Sequence, residues 1–360
     1  MKPLAARPRG LAALISGDRP GHPVATLLVV ALLVALVFAP FLFPGTRPLV
    51  VAARICIFGV LAASFDILLG YTGIVSFAHA MFFAIGAYAV AIPLASGWVG
   101  WDAVLAGALA GVLVAMVLAA GIGLLSLRVR AIFFSMLTLA VASFAQLLAT
   151  QWRDVTGGED GLPFSLPRLL MPSFRLFERP LMGVRIDGRV LTYYLILIVS
   201  VALFLFMLRV MNAPFGRVLQ AIRENAFRAE ALGYRVVVYR TVAAVVAAGI
   251  AAVAGTLMAL LLRYTGPEAT LSFGIMVDVL LMVVIGGMGT LYGPAIGAAV
   301  IVLAQSYLQP GLQSLTEMFA GLPLLPELFH PDRWLLWLGV LFILIVRFFP
   351  AGVIGSLRRR

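Results

Sequence analysis

Long apolar runs alternate with short polar punctuation along the whole chain, and the runs are too uniform for the interior of a soluble domain. Arbitrating their ends by charge, Pro and Gly predicts about ten membrane-spanning helices, near 24–43, 49–69, 77–95, 102–127, 131–149, 191–208, 240–262, 273–288, 293–309 and 333–349. The predicted fold is an all-α, polytopic membrane protein. The first run follows Arg7, Arg9 and Arg19 and resembles a leader, but its end, "VFAPFLFPG", lacks a small-x-small cleavage pattern, so it is expected to stay as an anchor.

Composition narrows this picture. Of 360 residues 63% are apolar and 11% charged, with a mean hydropathy of +1.09, so the spans consume most of the chain and leave no room for a folded soluble domain. A single cysteine, Cys56, excludes an internal disulfide framework and a cysteine metal cluster. The net charge of +11 would suit nucleic acid, but the arginines are spread over short inter-span loops, where they act as topology signals. Placing the N-terminus in the cytoplasm puts Arg128, Arg130, the 209–240 segment and Arg358, Arg359 and Arg360 there too. About 16 of the 26 basic residues then lie inside. The loop at about 150–190 sets Asp154, Glu159, Asp160, Glu178 and Asp187 against six arginines and is expected outside. The expected organisation is a cytoplasmic segment 1–23, a membrane domain 24–350 and a basic cytoplasmic tail 351–360, N-in and C-in.

Two glycine-rich stretches interrupt the apolar pattern. In "GYTGIVSFAH", residues 70–79, Gly70 and Gly73 each weaken a helix by about 1 kcal/mol relative to Ala, and irregular backbone at membrane depth is tolerated only where protein or water lines it. Asp66, one turn before the stretch, and His79, its last residue, are ionisable groups inside the membrane, which makes them candidates for a polar path or for gluing helices together. A faint repeat aligns Gly70, Gly73, Gly86 and Ala87 with Gly286, Gly289, Gly297 and Ala298. Such a repeat reads either as a pair of breaks beside a solute path or as close packing through small residues. Candidate path residues are Asp66, Gly70, Gly73, Ser76, His79, Gly286, Gly287 and Gly289, with Phe77, Phe82 and Phe83 as lining or packing. Asp278 reads as a solvated group nearer the outer interface.

Residues 213–240, "APFGRVLQAIRENAFRAEALGYRVVVYR", lie between the sixth and seventh spans. Pro214 suits a helix start and Gly233 a C-cap, while Leu219, Ile222, Ala226 and Ala229 recur at helical spacing. Arg217, Arg223, Glu224, Arg228 and Glu230 fill the remaining surface, with Glu224 and Arg228 spaced to pair. This predicts a short amphipathic cytoplasmic helix at 214–233, lying on anionic lipid or docking a partner; mixed charge favours specific contact.

Four blocks, "DILLGYTGIVSFAHAMFFAIGAYAV", "GRVLQAIRENAFRAEALGY", "VVIGGMGTLYGPAIGA" and "WLLWLGVLFILIVRFFPAGVIG", resemble LivM-type permease subunits of branched-chain amino-acid ABC transporters, with the UrtC-type urea permeases close by. The resemblance covers roughly residues 50–355. It implies that the 214–233 segment is a coupling helix seated on an ATPase, pointing to Gly216, Arg217, Arg223, Glu224, Glu230 and Gly233. It further implies a LivH-type second permease, two cytoplasmic ATPases, a periplasmic solute-binding protein and residence in the bacterial inner membrane. Ala78 departs from the glycine common in that family, and the external loop is fairly long.

The remaining chemistry is sparse. A phosphate-binding P-loop needs a lysine, and the chain's sole lysine is Lys2. His22, His79 and His330 show no metal spacing, and no nucleophile–base arrangement stands out. No cofactor, metal or nucleic acid is expected, and no catalysis by this chain. The expected function is passage of branched-chain amino acids inward along a permease–permease interface, driven by ATP hydrolysed elsewhere. Urea, short amides or aromatic acids are alternative solutes, and an ion-coupled carrier using Asp66 or a membrane scaffold or intramembrane enzyme are alternative classes.

Overall fold

The computed structural model describes residues 23–43, 45–126, 131–175, 185–318 and 329–359. The segment 1–22, Arg128, Arg130, Glu178 and Arg360 lie outside the described residues. Thirteen helices of six residues or more organise the described residues. In the first half they are α1 (Pro23–Val37), α2 (Thr46–Thr72), α3 (His79–Ala95), α4 (Trp101–Ser126), α5 (Ala131–Gln151) and α6 (Gly188–Asn212). Then follow α7 (Pro214–Glu224), α8 (Ala226–Ala231), α9 (Val236–Leu262), α10 (Phe273–Gly286), α11 (Tyr292–Met318), α12 (Trp334–Phe348) and α13 (Val353–Arg359). Among the described residues eight helical segments are long and apolar enough to cross a membrane, accompanied by two shorter apolar helices, α1 and α3.

Burial sorts these helices into a core and a sheath. In α2, 83% of the apolar window is buried, and in α9 72%; in α4, α5 and α12 the share falls to 22%, 17% and 17%. The sheath helices present residues such as Leu109, Val117, Leu125, Phe144 and Ile343 outward. So much exposed apolar surface is tolerable only against lipid, which makes this a polytopic membrane protein. Helix α2 is central, packed by α6, α9, α10 and α11, while α9 lies between α2, α3 and α4.

Hydrocarbon gives helices no hydrophobic reason to associate, so close approach through small residues supplies the packing. Along the α3–α9 seam Gly86 lies against the Ala252 backbone, Gly255 lies against the Phe83 carbonyl, and Thr256 Oγ1 donates to Gly86 O at 3.2 Å. A Cβ at Gly86 or Gly255 would overlap the facing main chain.

The first apolar run is not one continuous helix. It ends at Val37 and resumes as a single turn, Ala39–Leu42, because Pro40 has no N–H to offer the Leu36 carbonyl one turn earlier. A freed carbonyl in the bilayer needs another donor. The Tyr193 hydroxyl of α6 donates to Leu36 O, and the neighbouring Tyr194 hydroxyl donates to Val37 O at 3.2 Å.

At one end of the bundle, the 152–175 segment folds back as short turns. Its strand β1 (Leu162–Pro163) pairs antiparallel with β2 (Tyr264–Thr265), directly after α9. Asp187 caps α6 at this end, its carboxylate accepting from the Arg189 and Val190 N–H groups at 3.1 Å each. The opposite end carries α7 and α8.

Candidate functional site

Both glycine-rich stretches connect successive helices, and both lie at the α7 end. Helix α2 runs 27 residues, about 40 Å, longer than the ~30 Å hydrocarbon core, before it stops. It stops because Gly73 adopts a left-handed conformation, φ +73°, in which its N–H and that of Ile74 both turn back to Leu68 O. Residues 73–78 then lead into α3. In the other half α10 ends at Gly286, and Gly287 and Gly289, at φ +110° and +84°, turn the chain into α11. Gly73 and Gly289, aligned by the repeat, are thus both positive-φ glycines. Gly86 and Gly297 differ: the first abuts α9, the second the Met282 carbonyl of neighbouring α10.

The irregular backbone of the first connection is covered by protein. Helix α5 contributes Ser135, whose Oγ donates to Val75 O at 2.8 Å, and Thr138, whose Oγ1 accepts the Phe77 N–H at 3.1 Å. Ser76 is buried, as are Phe82 and Phe83, which pack in the core. Phe77 is partly buried and meets the Phe273 ring at 6.1 Å.

The two connections are joined to each other. Asp66, fully buried in α2, accepts the Gly289 N–H with Oδ1 at 3.1 Å and Oδ2 at 3.0 Å. Gly70 sits between them, where a Cβ would overlap both the Asp66 carboxylate and the Gly289 nitrogen. A third element reaches the same place. Arg223, near the end of α7, donates from Nη1 to the Gly70 carbonyl, and its guanidinium lies where a side chain on Gly289 would have to go. The amphipathic helix, the end of α2 and the turn after α10 therefore meet at four residues, Asp66, Gly70, Arg223 and Gly289. The sequence marked all four but assigned Arg223 to a separate surface; nothing in one-dimensional spacing relates position 223 to position 70.

His79 begins α3 and is buried with them. Its Nε2 lies 2.8 Å from Ser64 Oγ, which itself donates to Leu61 O at 2.8 Å, so the ring's proton belongs on Nε2. The Phe65 ring lies 5.4 Å away, and Nδ1 has no hydrogen-bond partner.

The amphipathic segment is two helices. Asn225 leaves helical geometry at φ −159°, ends α7 and caps α8, its Oδ1 accepting the Arg228 N–H at 2.9 Å. The expected Glu224–Arg228 pairing fails for that reason: the two residues flank a break, where (i, i+4) spacing no longer brings side chains together. Gly233, at φ +91°, follows α8, and the Tyr234 N–H turns back to Ala229 O at 3.1 Å. Leu219, Ile222 and Ala229 are buried as the periodicity requires, and Gly216 packs on the Met211 carbonyl at the end of α6. Arg217, Glu224, Arg228 and Glu230 face outward. Two apolar residues that sequence reasoning passed over stand among them: Phe227 is 82% exposed and Leu232 73%. A phenylalanine off the buried stripe of an otherwise charged segment was the available signal.

Among the described residues no group of three His, Cys, Asp or Glu side chains is placed to hold a metal ion. The junction positions backbone, and in the buried Ser64–His79 pair beside it the hydroxyl proton is directed to Leu61 O and not to the imidazole.

Comparison with known proteins gives the same picture. Residues 47–346 match the family described as branched-chain amino acid transport system / permease component. The chain is 28% identical over 320 residues to the high-affinity branched-chain amino acid transport system permease protein LivM of Salmonella typhimurium, covering 85% of this chain and 74% of that protein. With LivM of Escherichia coli it shares 28% identity over 321 residues, at the same coverage. It is 27% identical over 231 residues to the probable branched-chain amino acid transport permease protein LivM of Methanocaldococcus jannaschii, covering 64% of this chain and 61% of that one. No solved structure matches. The apolar helices make this a multi-pass membrane protein, and the family match makes it an inner-membrane permease subunit. The chain belongs to the family of branched-chain amino acid transport system permease components.

Proposed function

We propose that this chain is one of two membrane-spanning subunits of an ATP-driven importer of branched-chain amino acids. It works with a LivH-type second permease, two cytoplasmic ATPases and a periplasmic solute-binding protein. The chain crosses ten times with both ends in the cytoplasm, α7 and α8 inside and the 152–175 segment outside. Supporting this orientation, Arg209, Arg217, Arg223, Arg228, Arg235 and Arg240 cluster around α7 and α8, whereas the 152–175 segment mixes both signs.

One observation carries the mechanism: Arg223 fastens α7 to the end of α2 at Gly70, and Asp66 fastens that end to Gly289. ATPase closure displaces α7 and α8, and the junction passes the displacement to both glycine-rich connections at once. A loaded binding protein on the outer loops delivers solute, which moves along the interface between the two permeases. Gly70, Gly73, Gly286, Gly287 and Gly289 serve as the points about which the inner mouth opens. Phe227 and Leu232 seat in the ATPase, with Arg217, Glu224 and Glu230 at the rim; exposed apolar anchors ringed by charge are the usual energetic centre of such contacts.

The test is assembly and uptake. Leucine import by proteoliposomes should require all the partner subunits, and Phe227→Asp should lower ATPase co-purification about tenfold or more. An unchanged complex would remove Phe227 from the docking surface.

A further inference from the structure

A cavity of about 150 Å³ opens among the ends of three spans, away from the Asp66 junction. The start of α2, the start of α6 and the end of α9 line it, at the end of the bundle that carries the β1–β2 pair. It extends from Thr46 to Ala53, about 10 Å along α2, from the helix end into the bilayer. Leu49, Ala53, Tyr193 and Leu260 are buried and give it an apolar floor, whereas Thr46 and Arg189 are exposed and Arg263 is partly so. The mouth is therefore basic.

Both arginines are placed by the fold. Arg189 Nη1 donates to Thr46 Oγ1 at 2.8 Å, which ties α6 to α2 and uses one of the guanidinium's five donors. Arg263 ends α9 in the left-handed region at φ +57°, the one non-glycine residue with positive φ among the described residues. Its N–H donates to Ala259 O at 2.8 Å and its carbonyl accepts the Phe164 N–H at 3.3 Å, so main-chain bonds on both sides hold the strained conformation. Strain of this kind persists where the surroundings over-determine it, and it clusters at ligand sites. The hydroxyls of the wall are spent, Thr192 Oγ1 on Gly188 O at 2.7 Å and Tyr193 on Leu36 O. Among the described residues no carboxylate lies within ion-pair distance of Arg189 or Arg263, and Asp187, two residues from Arg189, caps α6. Arg47, beside Thr46, turns instead to α11, donating to Ser306 O at 2.9 Å with its guanidinium 5.8 Å from the Tyr307 ring.

Two cations without a facing anion, above an apolar floor, match a ligand with an acidic head and an apolar chain. A zwitterionic solute would set its ammonium against two guanidiniums. Basic pockets between spans hold acidic lipid headgroups for the same reason. We propose that Arg189 and Arg263 form a site for an anionic lipid, the two arginines taking its phosphate and the floor around Leu49 and Leu260 the first methylenes of a chain. The site lies apart from the glycine-rich connections and does not depend on the importer reading.

The test is thermal unfolding of the full-length chain in neutral detergent, with short-chain lipids as probes. Phosphatidylglycerol should raise Tm by about 3 °C or more over phosphatidylcholine of equal chain length, and inorganic phosphate, which leaves the floor empty, should not. Arg189→Gln and Arg263→Gly should each remove about half of that shift or more. Arg263→Gly also relieves the positive φ, so without lipid it should melt no lower than wild type, which separates a lost response from a damaged fold. Arg47→Gln should keep the full shift. Equal stabilisation by both lipids overturns the proposal. So does an equal loss in Arg47→Gln, because general charge at the membrane boundary then accounts for the effect. A full shift from inorganic phosphate alone overturns it too, since a free anion then suffices.

Discussion

The Asp66 carboxylate holds the Gly289 amide with both oxygens, at 3.1 and 3.0 Å, across 223 residues of sequence. The carboxylate end of the bond is fully buried and the amide end partly so. Removing the acceptor by Asp66→Ala should destabilise the protein by about 2 kcal/mol, because Gly289 N–H is left without its partner. Asp66→Asn retains one accepting oxygen and should cost about half as much. Thermal unfolding of the purified protein in detergent measures both; equal stability of Asp66→Ala and wild type would dissolve the junction.

Arg223 is exposed overall but spends its guanidinium on the Gly70 carbonyl, so its loss should act on transport more than on assembly. Arg223→Gln should leave ATPase co-purification near wild type while lowering uptake about tenfold. Arg223→Lys, with one compact donor in place of the fork, should fall between. Loss of the ATPases from Arg223→Gln complexes would return this residue to the docking surface.

Tyr193→Phe removes a single hydroxyl, the donor to the Leu36 carbonyl that Pro40 frees. The expected cost is about 1 to 3 kcal/mol, the range for leaving a buried polar group unsatisfied. Restoring the backbone donor with Pro40→Ala should rescue most of that loss, and thermal unfolding of the single and double variants gives the coupling.

His79→Gln keeps a donor able to reach Ser64 Oγ. If His79 only holds α3 against α2, uptake at fixed expression should stay within about twofold of wild type. A much larger loss with assembly intact would put His79 on the solute path.

Apolar run length and arginine placement made most helices legible, because a span in hydrocarbon must be nearly all apolar and must satisfy its own backbone. A stop near Gly73 is readable on the same grounds, since only glycine takes that left-handed conformation without strain. Helix α2 nevertheless runs from Thr46 to Thr72 where the apolar run predicts 49–69, so Gly70 is still helical. The division of 214–233 was not, although its agent, Asn225, was visible: an asparagine inside a strong amphipathic pattern can be either a surface residue or a cap. Asp278 was likewise visible as a charge but not as half-buried.

By itself the sequence determined the all-helical membrane architecture, the stretches where helices stop, and a resemblance specific enough to name a family. Local physics suffices there: apolar length, glycine conformation and charge asymmetry act within a few residues. Only the tertiary structure decided that Arg223 meets Gly70, that Asp66 meets Gly289, and that Tyr193 completes a helix broken by Pro40. Each is a backbone group that its own helix or turn leaves without a partner, and the group that completes it is set by which helices pack side by side, a fact that no spacing along the chain contains.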